Sequence, residues 1–394
     1  MNQVYLDHHA TTRPCEACVD AMLHALQIDW GNPSSVHRMG QQAARSLELA
    51  RGQVAALLGA RSRDITFTGS GTEAIDLAIR GVLEATTRGS PEKNIIVSDT
   101  IEHSAVRNLC KQLGDMGRAE IVQTPIEPGG RISVDGLAGV LDKHKDRVAL
   151  VSVQWANNET GVIQPVHELA NMCRARGVLM HSDATQWVGK MPTDLSGGDA
   201  PELDLLSCSA HKFHGPKGAG ALWVRRGVRL IPTLPGSQEL GRRAGTHALP
   251  AIAGMGAAAE AAAVWLENGS NREAVAALRD RLESGILARC PGARVNGDTT
   301  HRLWSVTNIG FPGLSSEALL LSLSERGVFV SAGAACASGS LEPSPVLLAM
   351  GVEERVAHGS LRFSLSRETT GEEIEHTIGV VERVVAQLSR AMPG

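Results

Sequence analysis

Short apolar runs alternate with helical patterns between about residue 64 and residue 225. This alternation predicts a mostly parallel sheet with helices on both faces. The candidate strands are Asp64–Thr68, Asn94–Ser98, Ala119–Val122, Val148–Trp155, Val178–Ser182, Leu203–Ser207 and Ala219–Val224. The candidate helices between them are Thr72–Leu83, Ser104–Leu113, Val134–Leu141 and Pro165–Ala175. We expect ligands to bind at the carboxyl ends of the strands.

The second half of the chain has a different pattern. Residues 254–289 are rich in alanine with few helix breakers, which predicts one long helix or two. The candidate strands after them are Ser305–Ile309, Val328–Ser331 and Leu361–Leu365. We therefore predict a large domain over residues 14–255 and a smaller α+β domain formed by residues 1–13 and 256–394.

Composition excludes several classes of protein. A chain of 394 residues is long enough for two domains. Its net charge of -4 gives no electrostatic reason for direct nucleic-acid binding. We find neither a signal peptide nor an apolar run approaching the roughly 18 residues of a membrane span, so we expect a cytoplasmic protein. Seven cysteines, an odd number, argue against a disulfide framework.

A lysine and an acid follow two of the candidate strands. The apolar run that starts at Leu205 ends in Ser209-Ala210-His211-Lys212, and the strand before it ends in Asp183. Such a pair is typical of a pyridoxal phosphate site, where the lysine forms a Schiff base and the acid keeps the pyridinium nitrogen protonated. Taken alone, Lys212 is more typical of a surface lysine after an edge strand, so this interpretation depends on the residues that converge there.

Gly69-Ser70-Gly71-Thr72 lies between a candidate strand and a candidate helix. Glycines allow close backbone approach, and the free amides of a helix N-terminus favour a phosphate group. No Gly-Lys-Ser/Thr follows, so this is not a nucleotide-binding P-loop. The alternative is an ordinary strand–helix turn with Thr72 as the N-cap.

Other polar residues follow candidate strands. His103 offers an imidazole that can stack on a heteroaromatic ring and transfer protons. Asn158 suits a ring hydroxyl or a substrate carboxylate, and Gln186 is a candidate donor to the ring oxygen, because the single tyrosine, Tyr5, is distant in sequence. The alternatives for His103 and Asn158 are a helix-start histidine and a plain turn.

Cys336 lies in a run of small residues, 331–340, that lacks apolar anchors. We expect such a segment to be mobile and its thiol to be accessible and reactive. Cys173 and Cys208, which have larger apolar neighbours, are instead expected to be buried and structural.

Cys15 and Cys18 have the CxxC spacing of redox and metal sites. No second CxxC exists, and the segment Cys15–Leu26 has helical spacing, in which i, i+3 cysteines simply share a face. We therefore predict no metal site, and keep a non-catalytic thiol or metal module as the alternative from another functional class.

Arg362 and Thr246 complete the candidates. Arg362 lies in an alternating strand pattern, where a guanidinium suits an α-carboxylate or simply a solvated edge. Thr246 ends a glycine-rich loop and suits a phosphate or a surface turn.

As a set, these residues resemble the cysteine desulfurases, pyridoxal phosphate enzymes of fold type I that supply sulfur. The resemblance covers nearly the whole chain, and the small-residue loop around Cys336 is similar to the nitrogen-fixation and housekeeping class. The matching motifs are Tyr5-Leu-Asp-His-His-Ala-Thr-Thr12, Gly31-Asn-Pro-Ser-Ser-Val-His37, Gly71-Thr-Glu73, Asn157-Asn-Glu-Thr-Gly161, Asp183-Ala-Thr-Gln186, Ser209-Ala-His-Lys-Phe-His-Gly-Pro-Lys-Gly218, Arg242-Arg-Ala-Gly-Thr246 and Ser338-Gly-Ser-Leu-Glu-Pro343.

The resemblance implies a role for each residue. Lys212 would form the Schiff base, Asp183 would pair with the pyridinium nitrogen, and Cys336 would be the nucleophile that becomes a persulfide. His103 would be the stacking acid or base, and Gln186 the donor to the ring oxygen. The implied phosphate ligands are Gly71, Thr72, Ser209, His211 and, from the other subunit of a homodimer, Thr246. The implied ligands of the substrate carboxylate are Asn158 and Arg362.

The implied activity is removal of sulfur from L-cysteine, giving L-alanine and a persulfide on Cys336. The sulfur would pass to an acceptor protein in iron–sulfur cluster assembly or in thio-modification of tRNA or DNA. The chain stops soon after Ala391, where housekeeping members continue into a tail that docks the scaffold protein. A selenocysteine lyase, or a pyridoxal phosphate β-lyase or aminotransferase, is the alternative within the same cofactor class.

Overall fold

The computed structural model describes residues 3–196, 203–332 and 342–391. The strands are β1 (Val4–Tyr5), β2 (Ile65–Thr68), β3 (Ile95–Ser98), β4 (Glu120–Gln123), β5 (Val148–Ser152), β6 (Leu179–Asp183), β7 (Leu205–Ser209), β8 (Gly220–Val224), β9 (Arg294–Val295), β10 (Val306–Gly310), β11 (Val328–Phe329) and β12 (Ser360–Ser364). The helices are α1 (Glu16–Gln27), α2 (Arg38–Leu57), α3 (Gly71–Gly89), α4 (Ser104–Asp115), α5 (Val134–His144), α6 (Val166–Ala175), α7 (Leu249–Glu267), α8 (Gly269–Arg289), α9 (Ser316–Ser324), α10 (Pro345–Ala349), α11 (Glu354–Ala357) and α12 (Gly371–Ala391).

The central sheet has, across the described ranges, seven strands in the order β2-β8-β7-β6-β5-β3-β4. Neighbouring strands are parallel, except that β8 runs antiparallel to both β2 and β7. Every residue of β5 and of β7 is buried, as expected for a sheet covered on both faces. The predicted α/β class with a mostly parallel seven-stranded sheet is confirmed.

Helices pack on both faces of this sheet. On β3, Ile95 and Val97 belong to a core cluster that includes α2 and α7, whereas Ile96 belongs to a second cluster with α3 and α4. Successive strand residues point to opposite faces, so one short apolar strand supplies both cores. The close contact of α7 with α2 requires Gly256, because a Cβ there would lie 2.6 Å from Ala50 Cα.

A smaller sheet holds the C-terminal region together. Strands β12, β10 and β9 pair antiparallel in that order. Their apolar side chains pack with α8, α9 and α12 in a third core cluster that includes Leu282, Phe363 and Val381. The N-terminal strand β1 pairs with β11, and Leu6 lies in the same cluster, so the start of the chain packs against its C-terminal region.

The alanine-rich segment forms two helices, α7 and α8. They meet at Asn268, whose side chain accepts a hydrogen bond from Ser270 N and so caps α8. Residue 256, at the predicted boundary between domains, lies inside α7. The division into domains at residues 13/14 and 255/256 remains a prediction.

Helix α7 is the one described helix that is long and apolar enough to cross a membrane by length and composition. We predicted no apolar run of that length. Half of the apolar window is buried within the protein, and Met255, Ala258 and Ala262 pack in the core cluster with α2. This burial accounts for the apolar composition, which a core helix shares with a membrane span.

A buried ion pair ties α2 to the loop before α7. Arg51 donates to both carboxylate oxygens of Glu239, at 2.7 and 2.8 Å, and Phe67 N donates to the same carboxylate at 2.7 Å. Removing one partner leaves a buried charge without its counterion.

We expect Arg51→Met to lower the free energy of unfolding by about 3–5 kcal/mol, because Glu239 then stays buried without its guanidinium. Urea denaturation measures this loss. Lys111→Met, which breaks the exposed pair between Lys111 and Asp115, is the matched control and should cost at most about 0.5 kcal/mol. If the two variants lost equal free energy of unfolding, burial would not be the reason for the loss in Arg51→Met.

Candidate active site

A cavity of about 250 Å³ lies at the carboxyl ends of the central strands. Its lining comes from the ends of several strands and from the start of α3, as expected for a parallel sheet. The predicted site residues that line it are Gly71, Thr72, His103, Asn158, Asp183, Gln186, Ser209, His211 and Lys212. Sequence positions up to about 140 residues apart therefore converge on one cavity.

Lys212 ends a short 3-10 turn, Ala210–Lys212, that directly follows β7. Its Nζ donates to the backbone carbonyls of His9 and Ala10, at 2.5 and 3.0 Å. Thr12 fixes this N-terminal segment against the turn, because its N and its hydroxyl both donate to the His211 carbonyl. Sequence reasoning missed the two carbonyl acceptors, for which the matching motif at residues 5–12 was the only signal.

Asp183 ends β6, the strand beside β7. In the register of this parallel pair Asp183 lies opposite Ser207, whose hydroxyl donates to Asp183 Oδ1 at 3.3 Å. Thr185 N donates to the same oxygen at 3.0 Å. These two donors orient the buried carboxylate toward the cavity that Lys212 also lines.

His103 is the N-cap residue of α4 and lies at the end of the loop that follows β3. Its Nδ1 accepts from Ala105 N at 3.2 Å, so in the neutral ring the proton is on Nε2. Burial lowers the pKa of His103; the nearby Lys212 lowers it further, while Asp183 raises it. The result is a neutral imidazole on the cavity wall.

The start of α3 forms a cradle for an anion. Ser70 caps the helix by accepting from Glu73 N, and a Cβ at Gly71 would lie 3.1 Å from Thr185 Oγ1 and 3.3 Å from Ser209 Cβ. The buried hydroxyl of Thr185 has no hydrogen-bond partner among the described residues. Free helix amides, a glycine without a side chain and an unpartnered hydroxyl fit a phosphate group.

The residues that line the cavity fit pyridoxal phosphate. The cradle around Gly71 can hold the phosphate, and Asp183 can face the ring nitrogen while Lys212 reaches the aldehyde carbon. Thr185 is a further candidate ligand that sequence reasoning missed, although it lies within the matching motif at residues 183–186.

Asn158 lines the cavity, and Arg362, which is not among the lining residues, contacts Asn158. Arg362 on β12 donates from Nη1 to the Asn158 carbonyl at 2.9 Å and from Nη2 to Asp7 Oδ1 at 2.7 Å. Asn158 Oδ1 and Arg362 Nε are buried, and neither has a partner in the described part of the chain. Asp7 as the partner of Arg362 was not predicted.

The side-chain amide of Gln186 both donates and accepts hydrogen bonds within the protein. Its Nε2 donates to the His9 carbonyl at 2.9 Å, and its Oε1 accepts from Lys190 Nζ at 3.1 Å. Lys190 was not predicted as part of the site, because it lies in a turn that has no periodic pattern.

Two of the predicted residues that the structure describes, Thr246 and Arg362, do not line the cavity. Thr246 is exposed in a loop and does not line it. Cys336 lies outside the described residues, so its role stays a prediction.

The CxxC segment lies at the start of α1. Burial, with a smaller contribution from Cys15, raises the pKa of Cys18 to about 12, so its thiol stays protonated. Within the described ranges, no group of three or more His, Cys, Asp or Glu side chains is placed to hold a metal ion.

The chain is similar to named enzymes along its length. A family model described as aminotransferase class-V matches residues 4–377. The "Cysteine desulfurase" of Cereibacter sphaeroides is 46% identical over 395 residues, covering 100% of this chain and 98% of that protein. The "Cysteine desulfurase NifS" of Azotobacter vinelandii is 45% identical over 395 residues, covering 100% and 95%. A solved structure of a "NifS-like protein" has a TM-score of 0.89 at 34% identity, covering 98% of this chain and 100% of that chain.

We expect Thr185→Val to weaken binding of pyridoxal phosphate by about tenfold or more, because a hydrogen bond to a charged group is lost. Equilibrium dialysis of the cofactor against the apoprotein measures this. Thr299→Val, at an exposed position, is the control and should bind as the unaltered protein does. Unchanged affinity in Thr185→Val would remove Thr185 from the phosphate cradle.

Proposed function

This chain belongs to the class-V aminotransferase family, and we propose that it is a cysteine desulfurase. It would remove sulfur from L-cysteine, release L-alanine and carry the sulfur as a persulfide on Cys336. The observation that supports this most strongly is that Lys212 and Asp183, at the ends of two adjacent strands, line one cavity with the N-terminus of α3. The identity of 46% to a curated cysteine desulfurase supports the same activity.

Pyridoxal phosphate, when bound, supplies an electron sink for the pair released at the substrate Cα. Gly71, Thr72 and Thr185 would hold its phosphate, and Asp183 would keep its ring nitrogen protonated. His103, a neutral ring on the cavity wall, would stack on the cofactor. Together these residues would position the ring so that the substrate Cα lies next to Lys212.

Lys212 would remove the proton from the substrate Cα. The His9 and Ala10 carbonyls accept hydrogen bonds from its Nζ and would keep the released amine beside the cavity. An amine that is already held in place can act as a base without the entropic cost of being oriented. The substrate carboxylate would pair with Arg362, which Asp7 and the Asn158 carbonyl already orient.

Cys336 would accept the sulfur. Its thiolate forms a bond to the substrate sulfur as the carbon–sulfur bond breaks, and the electron pair of that bond stays with the carbon, which is protonated to give alanine. Residues on both sides of the cysteine segment support this role. Ser331 pairs with Arg362 through backbone hydrogen bonds, and Ser344 donates to the buried Glu159, next to Asn158.

The partners are part of the same proposal. A homodimer would bring the exposed Thr246 of one subunit to the phosphate of the other. The persulfide would pass to an acceptor protein that serves iron–sulfur cluster assembly or thio-modification of tRNA or DNA. We propose that these reactions take place in the cytoplasm.

The first test is the colour of the protein. Purified with its cofactor, it should absorb in the visible range, and Lys212→Ala should abolish that band because the linkage to the cofactor needs the lysine amine. Lys217→Ala, which removes an exposed lysine five positions away, should leave the band unchanged. A colourless unaltered protein would contradict the proposed cofactor.

The second test separates the desulfurase from its alternatives. We expect Cys336→Ala to keep the visible band but to lose sulfide and alanine formation from L-cysteine with a reductant, because the sulfur then has no acceptor thiol. Cys15→Ala, at the N-cap of α1, is the matched control and should retain activity. Pyruvate and ammonia as products would indicate a β-lyase, and wild-type turnover by Cys336→Ala would exclude the persulfide mechanism. Comparison with L-selenocysteine distinguishes the selenocysteine lyase.

A further inference from the structure

Lys190 is a buried lysine for which the proposed reaction has no step. Its side chain lies in a turn after β6 and is 5% exposed. It shares a small second cavity, of about 20 Å³, with Lys212. This cavity lies on the side of Lys212 away from the candidate cofactor site, since the two cavities have only that lysine in common.

The chain brings Lys190 to this place through a close backbone contact. Gly189, the residue before it, has a φ of +75°, and a Cβ there would lie 2.4 Å from Phe213 Cβ. Only glycine allows that approach without displacement. The turn is also fixed from the other side, because Trp304 Nε1 donates to the Lys190 carbonyl at 2.8 Å. Lys190 is therefore held against the segment that carries Lys212.

A chain of hydrogen bonds connects the two lysines. Lys190 Nζ donates to Gln186 Oε1 at 3.1 Å, and Gln186 Nε2 donates to the His9 carbonyl at 2.9 Å. Lys212 Nζ donates to the same carbonyl at 2.5 Å. A carbonyl can only accept, so the nitrogen of the Gln186 amide must face His9 and its oxygen must face Lys190.

The surroundings of Lys190 are basic. Its pKa is well below the ordinary value for lysine, because of burial first, and then because of Lys212 and Arg362. The titratable and charged groups that face it are His8, His9, His211, Lys212, His214, Arg362 and Arg367. A buried amine in such surroundings is costly unless it is hydrogen bonded, and Gln186 supplies that bond.

We infer that Lys190 is a positioning residue for the proposed reaction: through Gln186 and the His9 carbonyl it fixes the Gln186 amide and the Lys212 amine against the cofactor. This inference rests on the proposed function. With Lys190 in place, the second hydrogen of Gln186 Nε2 remains available for the oxygen of the cofactor ring. Without Lys190, Gln186 Oε1 loses its donor and the amide is no longer held.

The inference is tested by a pH titration of the visible band of the cofactor-loaded protein. A donor at the ring oxygen, like a positive charge nearby, disfavours the protonated linkage between Lys212 and the cofactor. Lys190→Met should therefore raise the midpoint of the titration by about half a pH unit or more. Lys143→Met, at an exposed position, should titrate as the unaltered protein does.

A double-variant cycle tests the path through Gln186. Gln186→Met should raise the midpoint as Lys190→Met does, and Lys190→Met added to Gln186→Met should raise it no further. Additive shifts would overturn the inference, because Lys190 would then act without Gln186. A purely structural role would lower the thermal midpoint and leave the spectral titration unshifted.

The outcomes for Lys190 and for the proposed function are distinct. An unshifted titration in a coloured Lys190→Met protein overturns the inference and leaves the desulfurase intact. An unaltered protein with no visible band overturns both. Met is close to Lys in volume and removes a buried amine, so the variant is expected to fold. If Lys190→Met does not fold, the spectral titration of Gln186→Met is the deciding measurement. A wild-type midpoint in that variant overturns the inference.

Discussion

The register between β6 and β7 is the constraint on which the site depends. The two strands are parallel neighbours with Asp183 opposite Ser207, so Asp183 and the turn that carries Lys212 must lie at the same edge. A slip of one residue would exchange the faces on which the side chains of a strand lie. The strands are buried, apart from the partly exposed Leu179, and this burial opposes such a slip.

The N-terminal segment joins the two parts of the protein at this site. Tyr5 pairs with Phe329 in the C-terminal region, and Asp7 binds the guanidinium of Arg362. A few residues later, the His9 carbonyl accepts from Lys212. One short stretch of chain therefore contacts both Lys212 and Arg362, the residues that we propose for the cofactor and the substrate. Any shift between the central sheet and the small sheet would change the distance between those two groups.

Burial sets the protonation of the rings around the cavity. It lowers the pKa of His103, and with Lys212 it lowers the pKa of His211 to about 4. Both rings are therefore neutral hydrogen-bonding groups near neutral pH. The same low polarity makes an unpaired amine costly, which is why the hydrogen bond from Lys190 to Gln186 matters.

The sequence alone determined the sheet and its functional edge. Lys212, Asp183 and His103 could be placed together because apolar runs mark strands, and parallel strands end at one edge. It could not determine the backbone carbonyls that hold Lys212, or the turn that carries Lys190. Those partners depend on close contacts between segments far apart in the chain, and such contacts leave no periodic pattern. Only the tertiary structure decided them, because packing alone brings a distant carbonyl or a buried amine within hydrogen-bonding distance.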